Sequence, residues 1–503
     1  MQINMPLRSS YVLSLIPVIF LSCQVTAKPW LDTGDMRLRH ELQILSDSGL
    51  LDAPLTTWPL ASKDIHARLK TPEKGKPLRP ELQDALNNIK QRLKEEDYIT
   101  GFKVTGNARS KELLIRDFSG EGREKGSISY DGEWGNPIVD IRLKATVADE
   151  TPHPDDSKFR LDESYIASDL GNWKFTVGKQ SRYWGPSWDG SLILSNNARP
   201  IPSISVENVL SASEPDDFFL LRWLGKSKLH AFVGQLESDR GIPNTKLIGT
   251  RFSFRPFNSL EVGLHRTIQW GGDGQDESFS DFAKTFFSVR VDKQDGSLGT
   301  VRGNQIAGLD ARWKLPVGGD NTHYALYGQY IGEDRVDGSI LLGDEIFLLG
   351  GSVSGFSSKF KGTWRAYLEA TDTSAGSYKG RDRNNIVYNH GTYTDGYRYL
   401  DVSMGHGIDS DSKIVSVGAM LTQDNGNFWR GWVKHTKLNT DGVGINPIAP
   451  NGREWSALGL SLDKNWREDL KINLGVQYIS DKTIGEKREN DLAVSAGFTK
   501  TFQ

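Results

Sequence analysis

Tyr183, Trp184 and Trp188 stand close together in a run, residues 178–202, that also holds Arg182, Arg199, Asn196, Asn197 and three prolines. Such residue types suit sugar. The apolar C–H faces of a sugar ring sit well on an aromatic π-face. Asn side chains both donate to and accept from hydroxyls, and the guanidinium fork matches the carboxylates of an acidic polysaccharide. Arg182, Tyr183, Trp184, Trp188, Asn196, Asn197 and Arg199 are therefore candidate carbohydrate contacts. A structural role competes: Trp184-Gly185-Pro186 suits a rigid turn, Trp188 a core gap, and Asn196-Asn197 left-handed turn positions. The run Tyr388 to Tyr399 adds Tyr393 and Tyr397, with His390 and Arg398 nearby, as a second set of platforms or as girdle and loop packing.

Other chemistries find few residues to carry them. The nine His are scattered singly. His390 and His406 lie near Ser403 and Asp409 in sequence, but no Gly-x-Ser-x-Gly elbow stands between a strand and a helix. There is no His-x-x-x-His and no paired Cys for a metal, and the acids from Asp273 to Asp281 are not spaced as a calcium loop. A non-catalytic chain with no metal and no cofactor is expected. With 61 Lys and Arg against 64 Asp and Glu, net charge −3, nucleic acid is not an expected partner.

The elements that must position these residues are of two kinds. Residues 1–27 read as a secretory signal: Arg8, an apolar stretch from Tyr11 to Leu21, and small residues at Val25-Thr26-Ala27. That stretch is shorter than the ~20 residues a membrane-spanning helix needs. Cys23, the single cysteine of the chain, lies inside it, so a cut after Ala27 leaves no thiol. Residues 28–98 read as a small helical domain. Leu38, Leu42 and Leu45 recur at helical spacing, with Thr33 or Asp35 as cap and Gly49 as stop. Ser62 to Leu69 is a shorter helix, and Pro80 opens a third with Leu82, Leu86, Ile89 and Leu93 on one stripe. So short a domain must pack against the remainder of the chain.

Over residues 99–503 the period falls to two. Val139, Ile141, Leu143, Ala145 and Val147 alternate with Asp140, Arg142, Lys144 and Thr146; Phe360 to Glu369, Leu470 to Tyr478 and Leu492 to Thr499 repeat the pattern. A β-sandwich and a membrane barrel both alternate. Long strands, Trp134, Trp173, Trp223, Trp313, Trp429, Trp455 and Trp466 near strand ends, and a final strand with Phe502 next to last favour the barrel. The expectation is an all-β transmembrane fold, a closed antiparallel outer-membrane β-barrel of about 18 or 19 strands by direct count, with outer-membrane lipid and the barrel assembly machinery as partners. Arg142, Lys144, Lys361, Arg365 and Glu369 should face inward. Two long connections, Gln269 to Gly303 and Thr371 to Tyr397, should fold outside or into the lumen. A plugged scaffold and an open porin for small solutes or oligosaccharides remain as alternatives.

Residues 178–202 closely resemble the signature of the Wzi family of outer-membrane capsule-assembly proteins. Leu42 to Gly49 followed by Trp58-Pro59-Leu60, then Tyr388 to Tyr399 and Gly405 to Ser412, resemble further parts of that pattern in the same order, across nearly the whole mature chain. The resemblance implies an 18-stranded barrel with the helical domain on the periplasmic side. It also implies a lectin-like role at the surface of a Gram-negative cell: binding exported capsular polysaccharide or exopolysaccharide and organising that layer, with polysaccharide export proteins as candidate partners.

Overall fold

The computed structural model describes residues 30–70, 78–95, 101–136, 138–149, 157–210, 223–287, 303–335, 342–376 and 384–502. The expected leader with Cys23, and residues 96–100 at the expected domain boundary, fall outside them. Eighteen antiparallel strands close into one barrel. In chain order they are β1 Phe102–Arg109, β2 Gly126–Gly135, β3 Val139–Ala148, β4 (Phe159–Arg160 continued by Tyr165–Leu170), β5 Trp173–Lys179 and β6 Pro202–Leu210. Next come β7 Lys226–Gln235, β8 Lys246–Phe257, β9 Leu260–Trp270, β10 Asn304–Lys314, β11 Thr322–Gly332 and β12 Ile346–Ser357. The last six are β13 Gly362–Asp372, β14 Lys413–Gln423, β15 Phe428–Leu438, β16 Arg453–Arg467, β17 Leu470–Thr483 and β18 Glu489–Phe502. Closure is made by β18 on β1, where Phe502 pairs with Phe102 and their rings stack at 4.7 Å.

Strand alternation places apolar side chains outside and charged ones inside, the reverse of a soluble protein. Ile204, Leu264, Leu309, Leu326, Leu349 and Leu368 are exposed, whereas Arg251, Arg365 and Glu369 on the opposite face are buried. Every backbone N–H and C=O of a closed wall can be paired without water, which is why strands cross lipid only in this form. Trp134, Trp173, Trp223, Trp313, Trp429 and Trp466 stand on or beside the strand ends that share a rim with Phe102 and Phe502. Trp455 does not join them; it faces inward at the other rim, packed beside Ile414 and Leu438. Lys361 and Phe360 also depart from the expected alternation, because residues 358–361 form the turn between β12 and β13, and Lys361 has φ +47°. Turns on the rim carrying the chain ends are mostly short, such as 171–172, 258–259 and 468–469. The opposite rim carries the long connections 110–125, 180–201, 271–303 and 373–412.

The lumen is filled by the chain itself. Helix α1, Met36–Asp47, is capped by the Asp35 carboxylate accepting from Leu38 N–H, and Gly49 follows it at φ +78°. Its polar residues other than Arg37 are buried along with its leucines, since the wall around it is polar too. Arg312 and Arg365 reach Asp47 at 2.9 and 3.2 Å, and His40 meets Thr363 at 3.0 Å. Those guanidinium groups hold the Asp47 carboxyl down at about 2 against the opposing effect of burial, while burial pushes the His40 imidazole down to about 3. The strap after α1 is held just as directly. The Glu261 carboxylate accepts from the Leu55 and Thr56 N–H groups at 2.9 and 2.7 Å, and Lys228 donates to the Thr57 and Pro59 carbonyls at 3.2 and 2.9 Å. Helices α2, Ser62–Arg68, and α3, Pro80–Glu95, complete this layer; Leu82, Leu86, Ile89 and Leu93 of α3 pack on Leu38, Leu42 and Leu45 of α1.

Candidate functional site

Residues 180–201 leave β5 and turn into the lumen instead of standing out from the rim. Tyr183-Trp184 pairs with Thr57-Trp58 as a short antiparallel ribbon. Arg39 of α1 donates to the carbonyls of Ser187 at 2.7 Å and Pro186 at 2.9 Å, with its guanidinium 4.3 Å from the Phe118 ring centre and 4.4 Å from that of Trp188. From the wall, Glu369 accepts from the N–H groups of Trp188 and Asp189 at 2.7 and 2.9 Å and from the Ser187 hydroxyl at 2.6 Å. The turn is thus clamped between α1 and β13.

The later signature docks on the earlier one. The Tyr397 hydroxyl donates to the Ile193 carbonyl at 2.9 Å, and the Tyr388 hydroxyl to the Leu192 carbonyl at 2.5 Å. Asn197 Nδ2 donates to the Ser403 carbonyl at 2.9 Å, and Ser195 N–H to the Met404 carbonyl at 3.0 Å. A Cβ at Gly190 would run into the His406 ring, so the approach of the two segments requires glycine there. Arg398 and Asp409, both buried, brace the second segment through a two-toothed ion pair. Burial pushes His406 down to about 4 and Asp411 up to about 6.

This packing decides what each sequence candidate can touch. Tyr183 and Trp184 are wholly buried; Trp184 meets His230 and Phe232 edge-on at 5.8 Å each, and Tyr183 donates to the Ser187 carbonyl at 2.7 Å. Trp188 stacks on Tyr367, and Tyr393 and Tyr397 are buried in the loop layer. Arg182 lies over Phe232 and donates to Ser203 Oγ at 2.9 Å. As placed, these six are packed in the plug core and do not stand as open stacking platforms. Asn196, Asn197 and Arg199 differ. They reach a cavity of about 590 Å³ between the plug and the wall formed by β1–β3 and β16–β18.

Around this cavity Arg109, Arg116, Arg123, Arg160 and Arg199 gather at the long-loop end. Arg116 and Arg123 both donate to the Asn197 carbonyl, at 3.3 and 3.2 Å. Arg199 is bidentate on Asp162 at 2.7 and 3.1 Å, and Arg160 reaches Glu124 at 3.1 Å. Asn196 donates to the Phe118 carbonyl at 2.6 Å, and its buried Oδ1 has no partner among the described residues. The whole lining carries twelve Lys or Arg against eight Asp or Glu, so the gap is net positive. Sequence reading missed Arg109, Arg116, Arg123 and Arg160, which lie on three separate segments with no local pattern linking them. No cluster of three or more metal-type ligands occurs among the described residues.

A closed barrel with an apolar outer belt, whose lumen holds its own helices and loops, is an outer-membrane β-barrel. The chain belongs to the Wzi family: the family described as capsule assembly protein Wzi matches residues 94–493. It is 28% identical over 473 residues, 93% of this chain and 89% of the relative, to a Klebsiella pneumoniae protein described as an uncharacterized 55.8 kDa protein in the cps region. It is 27% identical to the solved Wzi of Escherichia coli, described as an outer-membrane protein involved in group 1 capsule assembly and a carbohydrate-binding β-barrel. That match covers 94% of this chain and 99% of the other, with a TM-score of 0.79. The protein is an integral outer-membrane barrel.

Proposed function

We propose that the protein binds an acidic surface polysaccharide, without catalysis, and retains it at the cell surface. The observation that carries this reading is the convergence of Arg109, Arg116, Arg123, Arg160 and Arg199 on one cavity whose lining has an excess of positive charge. Guanidinium groups match sugar carboxylates in shape and charge. Asn196 and Asn197 set the loops that present them, and Arg199 is the sequence candidate that keeps a direct role. The carbohydrate-binding description of the Escherichia coli relative supports the same reading. The short-turn rim with α1–α3 would face the periplasm and export partners, and the long loops the exterior. Each contact is weak, but a polymer bridging many barrels gains avidity through effective concentration.

The test is retention of the detergent-purified protein on surface polysaccharide immobilised from its own strain. Binding should weaken with salt, and the double variant Arg116→Ala, Arg199→Ala should lose roughly tenfold or more in affinity, about 1.4 kcal/mol or above. No retention of any acidic fraction by the parent protein would sink the proposal.

A further inference from the structure

Helix α4, Phe279–Phe286, lies in the long connection after β9, and it packs on the outer wall of the barrel, not in the lumen. The strand register shows this. On β9 the inward residues His265, Thr267 and Gln269 are buried in the polar interior, and Leu264 points out to the apolar belt with 46% exposure. Arg266, Ile268 and Trp270 therefore share the outward face with Leu264, and Gln305 is the outward partner of Ile268 on β10. These outward residues hold α4. Arg266 donates to the Phe286 carbonyl at 2.6 Å, Gln305 Nε2 to the Thr285 carbonyl at 3.0 Å, and Trp270 Nε1 to Asp281 at 2.9 Å. A cation on a lipid-facing strand is thereby neutralised by the negative end of a helix.

At 100° per residue the helix has three arcs. Asp281 and Thr285 are buried against the wall. Phe279, Phe282 and Phe286 form a second arc; Phe287 follows as the C-cap with its ring 5.4 Å from that of Phe286, and Phe279 and Phe287 are 82% and 74% exposed. Ser280 and Lys284 form the third, and both are exposed. The aromatic arc is continuous with the outward belt of the same two strands, where Leu264 and Leu309 are 46% and 45% exposed. This is the layout of a helix lying at a membrane surface, with one side against protein, one in hydrocarbon and one in water.

We propose that α4 is a membrane-interface anchor whose Phe279, Phe282, Phe286 and Phe287 enter the acyl chains of the outer leaflet beside β9 and β10, with Lys284 at the headgroup level. Strand ends give the opposite rim its tryptophan girdle; α4 supplies an aromatic anchor on the long-loop side. Cys23 is the single cysteine of the sequence, so a Cys23→Ser background permits the test. Single variants Phe279→Cys, Phe287→Cys and Lys284→Cys, with Leu309→Cys as the belt reference, would carry a nitroxide in phosphatidylethanolamine–phosphatidylglycerol vesicles. Collision with oxygen and with a water-soluble nickel chelate is then compared. The expected result is an oxygen-to-nickel ratio at 279 and 287 close to that at 309 and several-fold above that at 284. Equal, high nickel access at 279, 284 and 287 would overturn the proposal by placing the arc in water. Low access to both reagents at 279 and 287 would overturn it in favour of a protein covering the arc. Phe279 is so exposed that its replacement leaves the wall contacts intact, and heat-modifiable migration on gels checks that each barrel is folded.

Discussion

Glu369 sits on the wall, yet it fixes the plug. It accepts from Ser187, Trp188, Asp189 and, at 2.7 Å, from the Tyr327 hydroxyl, all of them buried. Glu369→Ala leaves several buried donors unpaired and should cost about 3 kcal/mol, read as a lowered urea midpoint of the detergent-solubilised protein; an unchanged midpoint would mean that water replaces the carboxylate. Arg39→Ala should loosen the same turn from the other side, since three aromatic rings and the Ser187 and Pro186 carbonyls lose their cation. A loss of about 2 kcal/mol is expected by the same measurement. At this scale the sequence revealed residue types but not their partners. Trp184 in a sugar site and Trp184 against Phe232 have the same neighbours in sequence; they differ only in which distant strand comes beside them.

Helix α1 titrates as a docked element. His40 is held at about 3 and Asp47 at about 2, both below their ordinary values of 6.5 and 3.8. A released helix binds these protons more readily, so docking is strongest above the ordinary His value. It weakens as pH falls from 6.5 toward 3 through His40, and from 3.8 toward 2 through Asp47. Release of α1 peptides from the solubilised barrel by pepsin, normalised at each pH to cleavage of an unfolded reference protein, should therefore rise step by step through the part of this range where pepsin is active, while the strands stay uncut. A flat release rate would show that α1 is held by its apolar face alone. The helix itself was readable from Asp35, the leucine spacing and Gly49, because caps and stripes are local signals. Its place inside a barrel was not, because burial of Asp47 depends on Arg312 and Arg365, contributed by strands hundreds of residues away.

For the molecule as a whole, plug and wall set the transport property. The side of the lumen lined by β7–β13 is stapled by Lys228, Glu261, Arg312, Arg365 and Glu369, whereas the β1–β3 and β16–β18 side keeps the 590 Å³ gap. The intact protein in a planar bilayer should show no large stable openings, and a variant lacking residues 28–98 should conduct, with a preference for anions from the basic lining. Large openings in the intact protein would favour the porin reading that the sequence left as its alternative.

From the sequence alone came the two-residue alternation, the outward apolar set, the helix caps and the ordered signatures, all of which depend on near neighbours or on composition along one strand. Those suffice for a barrel of this family and for its place in the outer membrane. Tertiary structure alone decided that β18 meets β1, that residues 180–201 and 384–412 fold together inside the wall, and that α4 lies outside it. It also moved the candidate chemistry from the buried Trp184 to the arginines around Asn197. The reason is physical: a ring or a guanidinium binds whatever first satisfies it, and in a closed barrel that partner is chosen by the register and curvature of eighteen strands, which no local stretch of residues encodes.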